Sequence, residues 1–141
     1  MLPRFCLLLA ALLGASGVGL GAYHAHGLEK QLARQSLEPA ILARRLDNAG
    51  TAVRYQLVHA LALLALAALA GQLRSRWLAA AATLFTAGVL AFSGGLYLIV
   101  FTGDAIHWAI VPSGGVLLMA GWLALLPVLP ALRGPAAPLA A

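Results

Sequence analysis

The spacing of the charged residues constrains this chain more than any other feature. Between Arg4 and Glu29 lie 24 uncharged residues, between Arg54 and Arg74 19, between Arg76 and Asp104 27, and between Asp104 and Arg133 28. A helix needs roughly 20 predominantly apolar residues to cross about 30 Å of hydrocarbon. Each stretch is long enough to cross a bilayer once and too short to cross it twice, so the chain reads as four spans. Composition agrees: 62% of the 141 residues are hydrophobic and 9% charged, against about half and about a quarter in soluble domains. Membrane-spanning strands would alternate apolar and polar residues over about ten positions. Leu61 to Leu69 is instead unbroken Ala and Leu, both strong helix formers. The expected fold class is all-α: an integral membrane four-helix bundle forming one domain over residues 1–133, with spans at about 5–24, 53–73, 77–101 and 106–129.

The net charge of +5 does not indicate a nucleic-acid binder, because the basic residues flank apolar segments and form no basic face. Nucleic acid is therefore excluded as a partner. The lipid bilayer is the expected one, and a homo-oligomer or a membrane complex stays open. Cys6 is the single cysteine, so no intrachain disulfide is possible. Met1 to Leu13 has the outline of a signal peptide, yet the apolar run continues through Gly21 without a cleavage pattern, so we expect the first helix to be retained. Arg4, Arg74, Arg76 and Arg133 lie on the side of the termini with no acidic residue among them, which favours cytoplasmic termini.

Residues 28–50 form the one long polar connection. Pro39 suits a first helical turn, and Leu42, Leu46, Ala49 and Val53 recur at helical spacing, with Lys30, Arg34, Arg44 and Arg45 at polar positions. This predicts an amphipathic helix lying at the membrane interface and feeding the second span. Pro112 either starts or kinks the fourth span, and the Pro/Ala-rich tail at 134–141 is expected to be disordered. Gly14, Gly17 and Gly21 share one face of the first helix, the last two as a GxxxG pair. Packing against the other helices is the main expectation, a dimer contact the alternative. Gly94 and Gly95 after Ser93, and Gly114 and Gly115 after Ser113, are read as close helix contacts, not phosphate loops.

Polar side chains gather towards one leaflet. His24 and His26 end the first helix, Arg54, Tyr55, Gln56 and His59 open the second, and Ser93 and Tyr97 lie in the second half of the third. Asp104, His107 and Trp108 are placed in the turn at that surface. Thr86, Ser93 and Tyr97 share a helix face, and His59 sits inside Arg54, at a depth where an ionisable group suggests a role. Three readings are open. The cluster organises the bundle and binds a small ligand or lipid headgroup. Alternatively, His26 and His59 from different helices ligate a haem or a metal ion. The third is a small oligomeric transporter or channel component, against which the sparse polar content of the other leaflet counts. No Ser/His/Asp arrangement or phosphate loop is present, so no enzyme and no catalytic residue is expected. The leading reading calls for no cofactor.

Four ordered motifs resemble one family: Gly21-Ala22-Tyr23-His24-Ala25-His26-Gly27-Leu28, Thr51 through Tyr55-Gln56-Leu57-Val58-His59-Ala60, Phe92-Ser93-Gly94-Gly95-Leu96-Tyr97 through Thr102-Gly103, and Pro112-Ser113-Gly114-Gly115 through Gly121-Trp122. They are similar to the family catalogued as domain of unknown function 423, which includes small bacterial inner-membrane proteins and eukaryotic transmembrane protein 256, over about Gly19 to Leu126. The resemblance implies a compact four-helix membrane protein without an assigned activity, located in the bacterial inner membrane. It matches His26, Tyr55, Gln56, His59, Ser93 and Tyr97 position by position. His24 and Val111 depart from the family's usual residues, which demotes His24 and any hydroxyl at position 111.

Overall fold

Helix boundaries follow from a few local signals. In the computed structural model, which describes residues 1–103 and 107–132, the chain is all-α with no strand among the described residues. Helix α1 covers Leu2–Ala33, with Pro3 in its first turn and a π-helical stretch at His24–Leu28. A turn in which Ser36 takes φ 51° leads to Pro39, which opens α2, Pro39–Gln72, a single helix of 34 residues. Leu73 is extended, and the Ser75 side chain accepts a hydrogen bond from the Trp77 N–H at 3.2 Å to cap α3, Arg76–Thr102. Gly103 ends α3 in the left-handed conformation, φ 78°. Helix α4 covers Ile110–Leu123, followed by a 3-10 segment at Leu126–Leu132. Pro112 lies in the first turn of α4, where a missing N–H leaves no helical bond unmade, so it starts this helix and does not kink it.

Among the described residues four helices are long and apolar enough to cross a membrane: Leu2–Ala33, Pro39–Gln72, Arg76–Thr102 and Ile110–Ala131. Helix α1 packs along α2, α2 along α3, and α3 along α4, so α1 and α4 flank the central α2/α3 pair. One apolar cluster, including Cys6, Leu63, Leu66, Leu78, Phe85 and Leu118, fills the half nearer the termini. A second, of Leu28, Leu32, Ala49 and Val100, fills the far end.

The connection at 28–50 differs from expectation. It is no separate element: its first part continues α1 to Ala33, and its second part is the start of α2. Nothing between Pro39 and Gln72 breaks the helix, since no proline intervenes, Gly50 is isolated and Gly71 comes only at the end. The apolar stripe is also turned inwards. Ala49 is buried, and Leu42 and Leu46 pack against Leu28, Leu32 and Val100. The same periodicity satisfies a lipid surface or a neighbouring helix, and here the neighbour takes it. Asp104 and the tail at 134–141 lie outside the described residues.

Among the described residues, Gly103 is the one glycine whose backbone conformation demands glycine. A non-glycine residue in the left-handed region costs roughly 1–2 kcal/mol, and a Cβ there would collide with the Arg45 guanidinium. Gly103→Ala is expected to lower unfolding stability by at least that much, read as a lower thermal midpoint in detergent.

Candidate functional site

Between the two apolar clusters lies a layer of polar side chains, and its centre is Gln56 on α2. The Gln56 amide donates from Nε2 to the Leu13 carbonyl at 2.8 Å and to Ser16 Oγ at 2.9 Å on α1. Its Oε1 accepts from the Tyr97 hydroxyl of α3 at 2.9 Å. One buried amide thus joins three helices, with both N–H groups and its oxygen engaged. This placement follows from α1 and α2 approaching closely just above. A Cβ at Gly17 would sit 2.8 Å from the Leu57 side chain, and one at Gly21 3.2 Å from Val53, so the GxxxG face serves contact within the chain.

One turn further along α2, His59 is 3% exposed. Its Nδ1 lies 2.8 Å from the Tyr55 carbonyl, and its Nε2 lies 3.2 Å from the Trp122 indole nitrogen on α4. A carbonyl only accepts and an indole only donates. The network therefore assigns the proton to Nδ1 and leaves Nε2 as the acceptor. Aromatic rings close around this pair: Phe85 stands 5.3 Å from His59 and 5.1 Å from Trp122, and Tyr55 stands 4.5 Å from Phe92. Between α2 and α4 a groove of about 300 Å³ opens outwards, lined by Tyr55, His59, Phe92, Pro112, Met119 and Trp122. A neighbouring recess of about 290 Å³ adds Arg54 and Val58.

Of the residues singled out from the sequence, the structure brings together Tyr55, Gln56, His59 and Tyr97, with Arg54 at the edge. Ser93 is buried at 1% exposure, and its hydroxyl has no hydrogen-bond partner among the described residues. Thr86, on the same face, bonds its own helix at the Ala82 carbonyl. His26 is exposed and apart from the cluster. Gly21 faces Val53 and Gly50 faces His24, so His26 stands level with about residue 48. Eleven residues of helix, about 16 Å, then separate it from His59. A metal ion with bonds of about 2 Å cannot be shared across that gap, and His59 has no free nitrogen to offer. The reading of a haem or metal ion held by both falls on this geometry. Among the described residues no group of three or more His, Cys, Asp or Glu side chains converges.

Several residues play parts that the sequence did not assign. His24, demoted by the resemblance, reaches the Leu46 carbonyl at 3.0 Å and ties the π-helical turn to α2. Trp122, which stands in the sequence only as the end of the fourth motif, is the partner of His59. The glycines also divide. Gly114 meets the α3 backbone at Phe92, Gly115 makes an ordinary contact with the Phe92 ring at 3.7 Å, and Gly95 is buried. Gly14 and Gly94 face open space, with nothing within 4 Å of where a Cβ would stand. Gly88 and Gly121, absent from the contacts expected from the sequence, face Leu118 and Phe85 at 2.5 Å. The available signal was that Gly121 follows Gly114 by seven residues and so shares its face.

Four apolar helices around a satisfied polar layer define a small polytopic membrane protein. The chain belongs to the family described as protein of unknown function, DUF423, which it matches over residues 20–115. It is 37% identical over 121 residues to a UPF0382 membrane protein of Staphylococcus saprophyticus, covering 84% of this chain and 91% of that one. It is 36% identical over 118 residues to the UPF0382 membrane protein YwdK of Bacillus subtilis, covering 83% and 89%. It is also similar to the UPF0382 inner membrane protein YgdD of Escherichia coli K12, at 32% identity over 126 residues and 89% of each chain. No solved structure matches it.

Proposed function

We propose that this is a non-enzymatic protein of the bacterial inner membrane, with cytoplasmic termini, whose Gln56/His59 layer fixes the arrangement of the four helices. The observation behind this is saturation. Every side-chain nitrogen of Gln56 and His59, and the Gln56 amide oxygen, has a partner, and those partners lie on α1, α3 and α4 as well as on α2. A catalytic base needs a free lone pair near a reacting atom, and His59 Nε2 is already engaged by Trp122. Buried polar groups in a membrane interior instead hold helices in register.

The groove beside His59 adds a place for a small amphipathic ligand or a lipid headgroup. Arg54 supports this. Its side chain is exposed, and among the described residues it has no hydrogen bond or ion pair. It follows Arg45 by nine residues, about 13 Å of helix. A cation at that depth suggests an anionic or polar head beside it.

His59→Ala in the purified full chain tests the organising role. Loss of the link to Trp122 is expected to lower stability by about 1–2 kcal/mol, with a lower thermal midpoint and a change in elution. A variant with unchanged midpoint and unchanged oligomeric state would sink the proposal.

A further inference from the structure

A second recess, far from the Gln56/His59 layer, carries two arginines and, among the described residues, no acidic side chain. It has a volume of about 400 Å³ and lies where the start of α2 passes the end of α3. Leu37, Ile41 and Ile99 supply apolar walls, and Arg44 and Arg45 stand at its edge. Arg45 is held in place: its Nη1 donates to the Gln35 side chain at 3.1 Å, and its guanidinium lies against Gly103, where no side chain intervenes. Arg44 is exposed and makes no hydrogen bond or ion pair among the described residues. No acidic side chain among the described residues lines the recess.

Its height in the membrane follows from α3. That helix has 27 residues, about 40 Å at 1.5 Å per residue. The bilayer with its headgroup regions is about 40–45 Å thick. Arg76 opens α3 and Arg45 sits on the residue that closes it, so the two arginines mark opposite headgroup levels. Ile41 and Ile99 would then contact the first carbons of an acyl chain while the guanidinium groups face its phosphate. Arginine binds phosphate oxygens in pairs through its planar fork.

We propose that Arg44 and Arg45 bind the phosphate of an anionic phospholipid of the surrounding bilayer, its acyl chain resting against Ile41 and Ile99. This site is independent of the groove at His59. The test uses purified full-length protein in detergent, with thermal shift and native mass spectrometry during titration by phosphatidylglycerol, phosphatidylcholine or inorganic phosphate. Phosphatidylglycerol is expected to raise the midpoint and to stay bound, and phosphatidylcholine to do neither. In Arg44→Gln/Arg45→Gln the apparent affinity for phosphatidylglycerol is expected to fall roughly 10- to 30-fold, whereas Arg34→Gln, which removes an exposed charge elsewhere on the same connection, keeps it. If the double variant does not fold, Arg44→Gln alone removes a guanidinium without internal contacts and is expected to fall several-fold. Retained affinity in these variants would overturn the proposal. So would equal loss in Arg34→Gln, an equal shift with inorganic phosphate, or a change of oligomeric state in place of lipid loss.

Discussion

Gly114→Ala is expected to cost this protein more stability than any other single added methyl group. The new Cβ would lie 2.8 Å from Phe92 Cα, against the backbone of α3. A side chain can rotate away from such a clash, but a helix backbone can retreat only with its whole helix. Gly88 and Gly121 stand on the same α3/α4 contact, each already close to a neighbouring side chain. Moving α4 away would therefore open contacts along the full interface and also strain the Trp122 bond to His59 on α2. Overpacking of a well-filled core typically costs about 1–3 kcal/mol, and a backbone contact belongs at the upper end. Gly94→Ala is the control, since open space surrounds that position on α3. It is expected to be neutral or slightly stabilising, because alanine favours helix over glycine by roughly 0.5–1 kcal/mol. Unfolding midpoints of the two variants in mild detergent check this, and similar losses in both would contradict the close approach.

Gln56→Leu carries the second largest expected effect. Leucine fills a similar volume but makes none of the three hydrogen bonds to Leu13, Ser16 and Tyr97. Intramembrane hydrogen bonds average about 0.6 kcal/mol each and reach about 1.7. Ser16 keeps its bond to the Leu12 carbonyl at 2.7 Å, so its hydroxyl stays satisfied, whereas the Tyr97 hydroxyl loses its partner. The sum is about 2 kcal/mol, with α1 loosened most because two of the three lost bonds hold it to α2. Limited proteolysis of the α1–α2 connection, alongside the unfolding midpoint, reads both consequences.

Much of the architecture was legible because the bilayer imposes a length on each crossing. The charge-free runs located all four helices, and the small residues at Gly17, Gly21 and Gly114 marked close contacts. Depth was harder to read. From Arg54 the polar residues looked like one leaflet's surface, yet Gln56 reaches Leu13 and Ser16 at the middle of α1's apolar run. The reason is that α2 begins 15 residues before Arg54, at Pro39, so Arg54 does not mark the start of a helix. Partner choice was hidden for a related reason. Periodicity gives the face of a residue on its own helix but not which helix it meets. Thus His26 looked like a mate for His59 when Trp122 is, and Gly14 and Gly94 looked like contacts when they face outwards.

The most direct measurement is a double-mutant cycle between Gln56→Leu and Tyr97→Phe, followed by reversible unfolding in detergent. Tyr97→Phe removes one oxygen from the layer and touches nothing else that Gln56 holds. If Gln56 is the hub, Tyr97→Phe lowers stability in the native background by about 0.6–1.7 kcal/mol and by almost nothing when Leu already occupies position 56. Strict additivity of the two losses would show that the residues act separately, and the polar layer would no longer account for how these helices are held together.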